Sequence, residues 1–152
     1  MHPMIEQKQE TTHAIYDDGG RDIPSELARR LFAAIDANDL DGFDPFIHPD
    51  YTFHLADQPP MDWNGNTFFT AQMFAAIPDL THRIESIVSD GTRVAVRITA
   101  SGTHAGELFG LPPTGRRVAV ASMAMLRVRN DHIIEYRLLF DRYGLLRQLG
   151  AV

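Results

Sequence analysis

The order of the hydrophobic periodicities predicts an α+β fold. Helical spacing dominates the first half of the chain and period-two alternation the second, and the two do not interleave as βαβ units. A further observation points to a curved antiparallel sheet, cone-like, wrapped around N-terminal helices and an internal pocket. Residues 106–116 place Leu108, Phe109 and Leu111 in a Gly- and Pro-rich connection, and the strand after it runs from Val118 to Leu126 without a charge. Connections ordinarily turn polar side chains to water, so an apolar one leading into a buried strand marks the lip of a concavity.

Each element follows from local pattern. Residues 1–22 are polar and lack the apolar stretch of a signal peptide, so they read as a flexible arm before a single domain spanning 23–152. A helix is predicted from Ile23: Pro24 suits its first turn, Glu26 favours its positive end, and Leu27, Leu31 and Ile35 fall on one face. Leu40, Phe43, Phe46 and Ile47 read as a short helix or turn that stops before Pro49. Residues 51–56 alternate as a short strand, and Trp63 falls in the polar connection after it. Phe69, Met73 and Ile77 restore helical spacing until Pro78.

Strands follow. Residues 82–89 lead into a turn at Asp90–Gly91. Beyond it Val94, Val96, Ile98 and Ala100 point one way and Arg93, Arg97, Thr99 and Ser101 the other. Two more strands flank a turn at Asn130–Asp131. A brief helix carries Leu145, Leu146 and Leu149 and stops at Gly150.

Composition narrows the function classes. With 152 residues, 44% hydrophobic and 22% charged, the chain suits one ordinary core. It has no cysteine, which excludes disulfides, thiolate nucleophiles and Cys-based metal sites. A net charge of −6 argues against a nucleic-acid partner. Lys8 is the one lysine, which leaves no Schiff-base lysine in the domain. No apolar run reaches the ~20 residues that span a bilayer, and the expected location is cytoplasmic.

The stretch SGTHAGELFGLPPTGRRVAV, followed by LRVRNDHIIEYRLLFDRYGLLRQLG, resembles the SnoaL-like polyketide cyclases of the NTF2-like superfamily. Their pattern is roughly G-T-H-x-G-x-x-x-G-x-x-P-T-G-R, a strand, a turn, and E-x-W-x-x-x-D-x-x-G-L-L-x-Q-L-G. The likeness is close over residues 101–150 and looser before them. It implies a conical α+β barrel that usually forms a homodimer, with neither metal nor cofactor. It also implies aldol-type closure of a ring in a polyketide-like small molecule, with an acidic residue as general acid/base.

The residues suggest who would carry such chemistry. A carboxylate in an apolar pocket can take a proton from carbon beside a carbonyl and return it to the new alkoxide. Asp141 matches the aspartate of the pattern; it reads either as that carboxylate or as the cap of the last helix. The resemblance implies a further acid at the position of Leu138 and a polar group at that of Ala124, and both are apolar here. His104 matches the family histidine at the pocket mouth, as a proton relay or as a structural tie for the loop. His54, beside His48 and Asp50, is the third catalytic candidate; His48 and His54 lack a third ligand at a helpful spacing, so no metal site is expected. Tyr51, Phe53, Trp63, Phe109, Tyr136 and Leu138 are the candidate substrate-binding residues, and Met123 with Met125 suits a dimer face. Two other readings use the same scaffold: a binding protein without chemistry, and a hydrolase, dehydratase or isomerase.

Overall fold

A computed structural model describes residues 22–56 and 58–152; the arm expected over 1–22 falls almost wholly outside them. Helix α1 spans Ile23–Asp36 and buries Leu27, Ala28, Leu31, Phe32 and Ile35, the face its spacing predicts. Each large apolar side chain on that face contributes about 1.5–3 kcal/mol of burial. A 3-10 turn over Asp41–Phe46 leads into strand β1, Ile47–Leu55. The strand starts earlier than its alternation suggests and runs through Pro49. That is possible because β1 lies at the sheet edge, where a missing N–H costs no ladder bond.

Helix α2, Trp63–Ala76, also starts earlier than expected: the Asp62 side chain accepts a hydrogen bond from the Gly65 N–H and makes Trp63 the first helical residue. Strands β2, Thr81–Ser89, β3, Arg93–Thr103, β4, Arg117–Arg129, and β5, His132–Phe140, precede helix α3, Arg142–Gln148. Asn130 and Asp131 both take positive φ, the geometry of the tight hairpin turn their sequence suggests.

The five strands form one unclosed sheet in the order β1-β5-β4-β3-β2. Three pairings are antiparallel, but β1 runs parallel to β5, so the sheet is mixed rather than wholly antiparallel. The long crossover through α2 and three strands makes the parallel pairing possible. Register shifts near Ser86, Val128 and the start of β1 put bulges in the sheet, and bulges bend strands. The concave face carries Val94, Val96 and Ile98 from β3 and Val118, Val120, Ser122, Ala124 and Leu126 from β4.

Two apolar clusters fill that concavity. One packs α1 against β1, β4 and β5 through Leu31, Phe32, Phe53, Leu126 and Ile133. The other joins the end of α2 to β4 and α3 through Ile77, Leu108, Val118, Leu145 and Leu149. Among the described residues no helix is long and apolar enough to cross a membrane.

Candidate active site

Where the two clusters meet, they leave a cavity of about 100 Å³. Its wall is mostly carbon, including Phe32, Leu80, Ile98, Val120 and Leu138. Three polar side chains break that wall: His82 from β2, Ser122 from β4 and Tyr136 from β5. Ser122 and Tyr136 are buried, yet neither hydroxyl hydrogen-bonds to another described residue. Buried hydroxyls ordinarily find partners, so these two are free for a ligand. Burial holds the Tyr136 phenol well above its usual pKa, so it stays a neutral donor.

His82 is held firmly. Its backbone N–H donates to Asp36 Oδ2 at 3.0 Å and its Nδ1 to Asp36 Oδ1 at 2.6 Å. The Phe32 ring packs against the imidazole with centroids 5.6 Å apart. The pattern Leu80, His82, Ile84 puts the histidine on the inner face of its strand, a signal readable in the sequence. Asp36, forty-six residues away at the end of α1, has no such signal.

The cavity opens past Phe69, Met73, Leu108, Phe109 and Phe140 into an outer recess of about 730 Å³. Phe109 forms the lip. Its backbone is left-handed, φ +50°, and its ring lies parallel to that of Phe140 at 6.3 Å. The Arg142 guanidinium covers the Phe109 ring at 4.3 Å.

His104 anchors this lip from beneath. It is fully buried, and Nδ1 accepts from the Thr114 N–H at 3.2 Å and lies 3.0 Å from Thr114 Oγ1. Its backbone closes the loop through Arg116 and Gly115. The next two N–H groups, of Ala105 and Gly106, donate to the Ala76 carbonyl at the end of α2. Gly106 sits against the Ala75 carbonyl so closely that a Cβ would strike it. His104 Nε2 has no partner among the described residues, and the ring is not on the cavity wall.

The remaining candidates are dispersed. Asp141 caps α3 by accepting from the Gly144 N–H at 2.8 Å and does not line the cavity. His54 lies on the outer sheet face beside Met123, Met125 and Leu139, with Nε2 3.1 Å from Thr52 Oγ1. Tyr51 and Phe53 are core residues; the Tyr51 hydroxyl donates to Asn66 Oδ1 at 2.8 Å. Trp63 packs edge-on against Tyr51 and donates to Asp44, away from the cavity. Phe109, Tyr136 and Leu138 do line it. No group of three or more potential metal ligands gathers among the described residues.

Known proteins share this fold. The family model of the SnoaL-like polyketide cyclases matches residues 25–149. The aklanonic acid methyl ester cyclase DnrD of Streptomyces peucetius is 29% identical over 82% of this chain and 89% of its own. The crystal structure of wild-type IdmH from Streptomyces antibioticus superposes with a TM-score of 0.76 at 35% identity, covering 84% of this chain and 98% of that one. That of AclR from Streptomyces galilaeus, a candidate hydroxylase, does so with a TM-score of 0.77 at 29% identity, covering 85% of each. A family model spanning nearly every described element, on a fold shared with these structures, places the chain in the SnoaL-like polyketide cyclase family.

Proposed function

We propose that this protein closes a ring within a flat, oxygenated, polyketide-like molecule by general acid/base chemistry drawn from its own side chains. The observation that carries the reading is the apolar cavity with His82, Ser122 and Tyr136 on its wall. A carbonyl entering there meets two uncommitted hydroxyl donors in a place where water is scarce and hydrogen bonds to a developing oxyanion are strong.

Size decides how a substrate would lie. A cavity of about 100 Å³ is too small for a drug-sized molecule, which occupies a pocket of roughly 300–1,000 Å³. The reacting edge therefore enters the cavity while the remaining rings lie in the outer recess between α2 and Phe109. The likeness to a cyclase acting on aklanonic acid methyl ester supports a substrate of that shape.

The test is incubation with aklanonic acid methyl ester in the presence of EDTA. Ring closure yields an isomer of unchanged mass and altered retention and absorbance. Recovery of unchanged ester refutes this substrate, and the same result across a panel of linear and tricyclic polyketide esters refutes the reading. The apolar pair Ala124 and Leu138 favours the second reading, a binder without chemistry; calorimetric binding without turnover would establish it. Exposed Met123, Met125 and Leu139 on the outer sheet face support a homodimer, which sedimentation would detect.

A further inference from the structure

We infer that His82, oriented by Asp36, is the general base of this site and, once protonated, its general acid. The inference rests on the ring-closure reading above and assigns the proton transfer within it.

The geometry selects the tautomer. An ionised carboxylate only accepts hydrogen bonds, so the contact from His82 Nδ1 to Asp36 Oδ1 at 2.6 Å requires a proton on Nδ1. In the neutral ring the lone pair then sits on Nε2. That atom has no hydrogen bond to another described residue, and the ring forms part of the cavity wall. A second bond, from the His82 backbone N–H to Asp36 Oδ2, holds the carboxylate in the plane it needs. Phe32 restrains the imidazole.

The position of Asp36 supports a functional pairing. It is the last residue of α1, where the helix dipole disfavours a carboxylate and favours a cation. An imidazolium formed at His82 meets both the carboxylate and the helix C-terminus. The rest of the cavity offers no rival. Its other titratable side chain among the described residues is Tyr136, whose phenol burial keeps neutral. Asp141 and His104 lie off the wall, and the position at which the resemblance implies a further acid carries Leu138.

The step balances within one molecule. His82 Nε2 takes a proton from carbon beside a substrate carbonyl, and the C–H pair becomes the enolate. The enolate carbon bonds to a second carbonyl carbon of the same molecule. That C=O π pair moves to its oxygen, and the alkoxide takes the proton from Nε2–H. Ser122 and Tyr136 donate to the oxygens as their charge develops.

Two measurements test this. His82→Asn keeps an N–H near Nδ1 for Asp36 and removes the distal nitrogen. We expect kcat to fall about 100-fold or more with the folded circular-dichroism spectrum retained; a folded variant within about twofold of the parent overturns the assignment. Asp36→Asn, a change at a positioning residue, should lower kcat about tenfold or more with KM nearly unchanged; a raised KM with unchanged kcat marks a merely structural tie. The second measurement needs no turnover, so it separates this inference from the ring-closure reading. The ¹⁵N spectrum of the parent at neutral-to-basic pH should show His82 protonated at Nδ1, and 1,8-dihydroxyanthraquinone should shift its Nε2 signal. A proton on Nε2 instead, or a signal the probe leaves in place, overturns the assignment even if the ester is cyclised. A whole ester panel left untouched, with the expected ¹⁵N result obtained, refutes the ring closure alone.

Discussion

Ala124 on β4 and Leu138 on β5 are direct cross-strand partners, one buried and the other on the cavity wall. Two positions at which the family resemblance implies polar groups are thus neighbours in space, and both present hydrocarbon. Whatever acid/base chemistry the chain performs must come from another part of the wall.

Leu138→Asp tests how apolar that wall is. The variant should lose about 1–3 kcal/mol at neutral pH, because the new carboxylate is desolvated without a partner. Desolvation raises its folded-state pKa, so the ionisation part of the loss should appear as pH rises past the unfolded value of about 3.9, and below it only the lost packing of the leucine should remain. Denaturant titrations at acidic and neutral pH read both effects.

Asp141→Ala should cost about 0.5–2 kcal/mol, the value of a helix cap, since the carboxylate holds the Gly144 N–H. Turnover should stay within a few-fold of the parent. A folded variant that loses activity by orders of magnitude would return Asp141 to the chemistry.

Tyr136→Phe removes a hydroxyl that bonds no described residue, so stability should change by less than about 1 kcal/mol. Turnover should fall roughly 10- to 100-fold if the phenol steadies an oxyanion. In the parent, burial raises the pKa of both Tyr136 and Tyr51. The folded state therefore keeps its phenol protons where the unfolded chain loses them. Stability from these groups is complete below pH about 10 and declines as pH climbs beyond it. The part of the phenolate absorbance that belongs to Tyr51 and Tyr136 should rise only with unfolding.

His104→Ala should destabilise the protein by about 2–4 kcal/mol, since it opens a void and strands the Thr114 N–H. The lip it anchors would loosen, so KM should rise more than kcat falls. Equal loss in kcat and kcat/KM would instead place the imidazole in the transition state.

Phe109→Ala should lower the melting temperature by about 2–6 °C, because the ring, though 40% exposed, loses its packing on Phe140 and Arg142. KM should rise several-fold as the stacked lip over Phe140 is lost. Unchanged KM would remove the lip from substrate binding.

Much of this architecture is local and therefore legible in the chain. The apolar face of α1, the alternation of β3 and β4, and the turn at Asn130–Asp131 follow from periods of 3.6 and 2 and from residues that tolerate positive φ. The apolar character of loop 106–116 is equally local, and Leu108 and Phe109 line the cavity. These features need only neighbours along the chain, and that is the information a sequence holds directly.

The tertiary structure alone decided three things. It set β1 parallel to β5, a choice made by the crossover and not by the strand's own residues. It put the Asp141 carboxylate on an N–H of its own helix, where either local reading was chemically sound. It joined Asp36 to His82 across forty-six residues, a pairing that neither local pattern contains. The physical reason is common to all three: side-chain chemistry depends on what lies within a few ångströms, and the packing of distant segments, rather than their spacing, determines that.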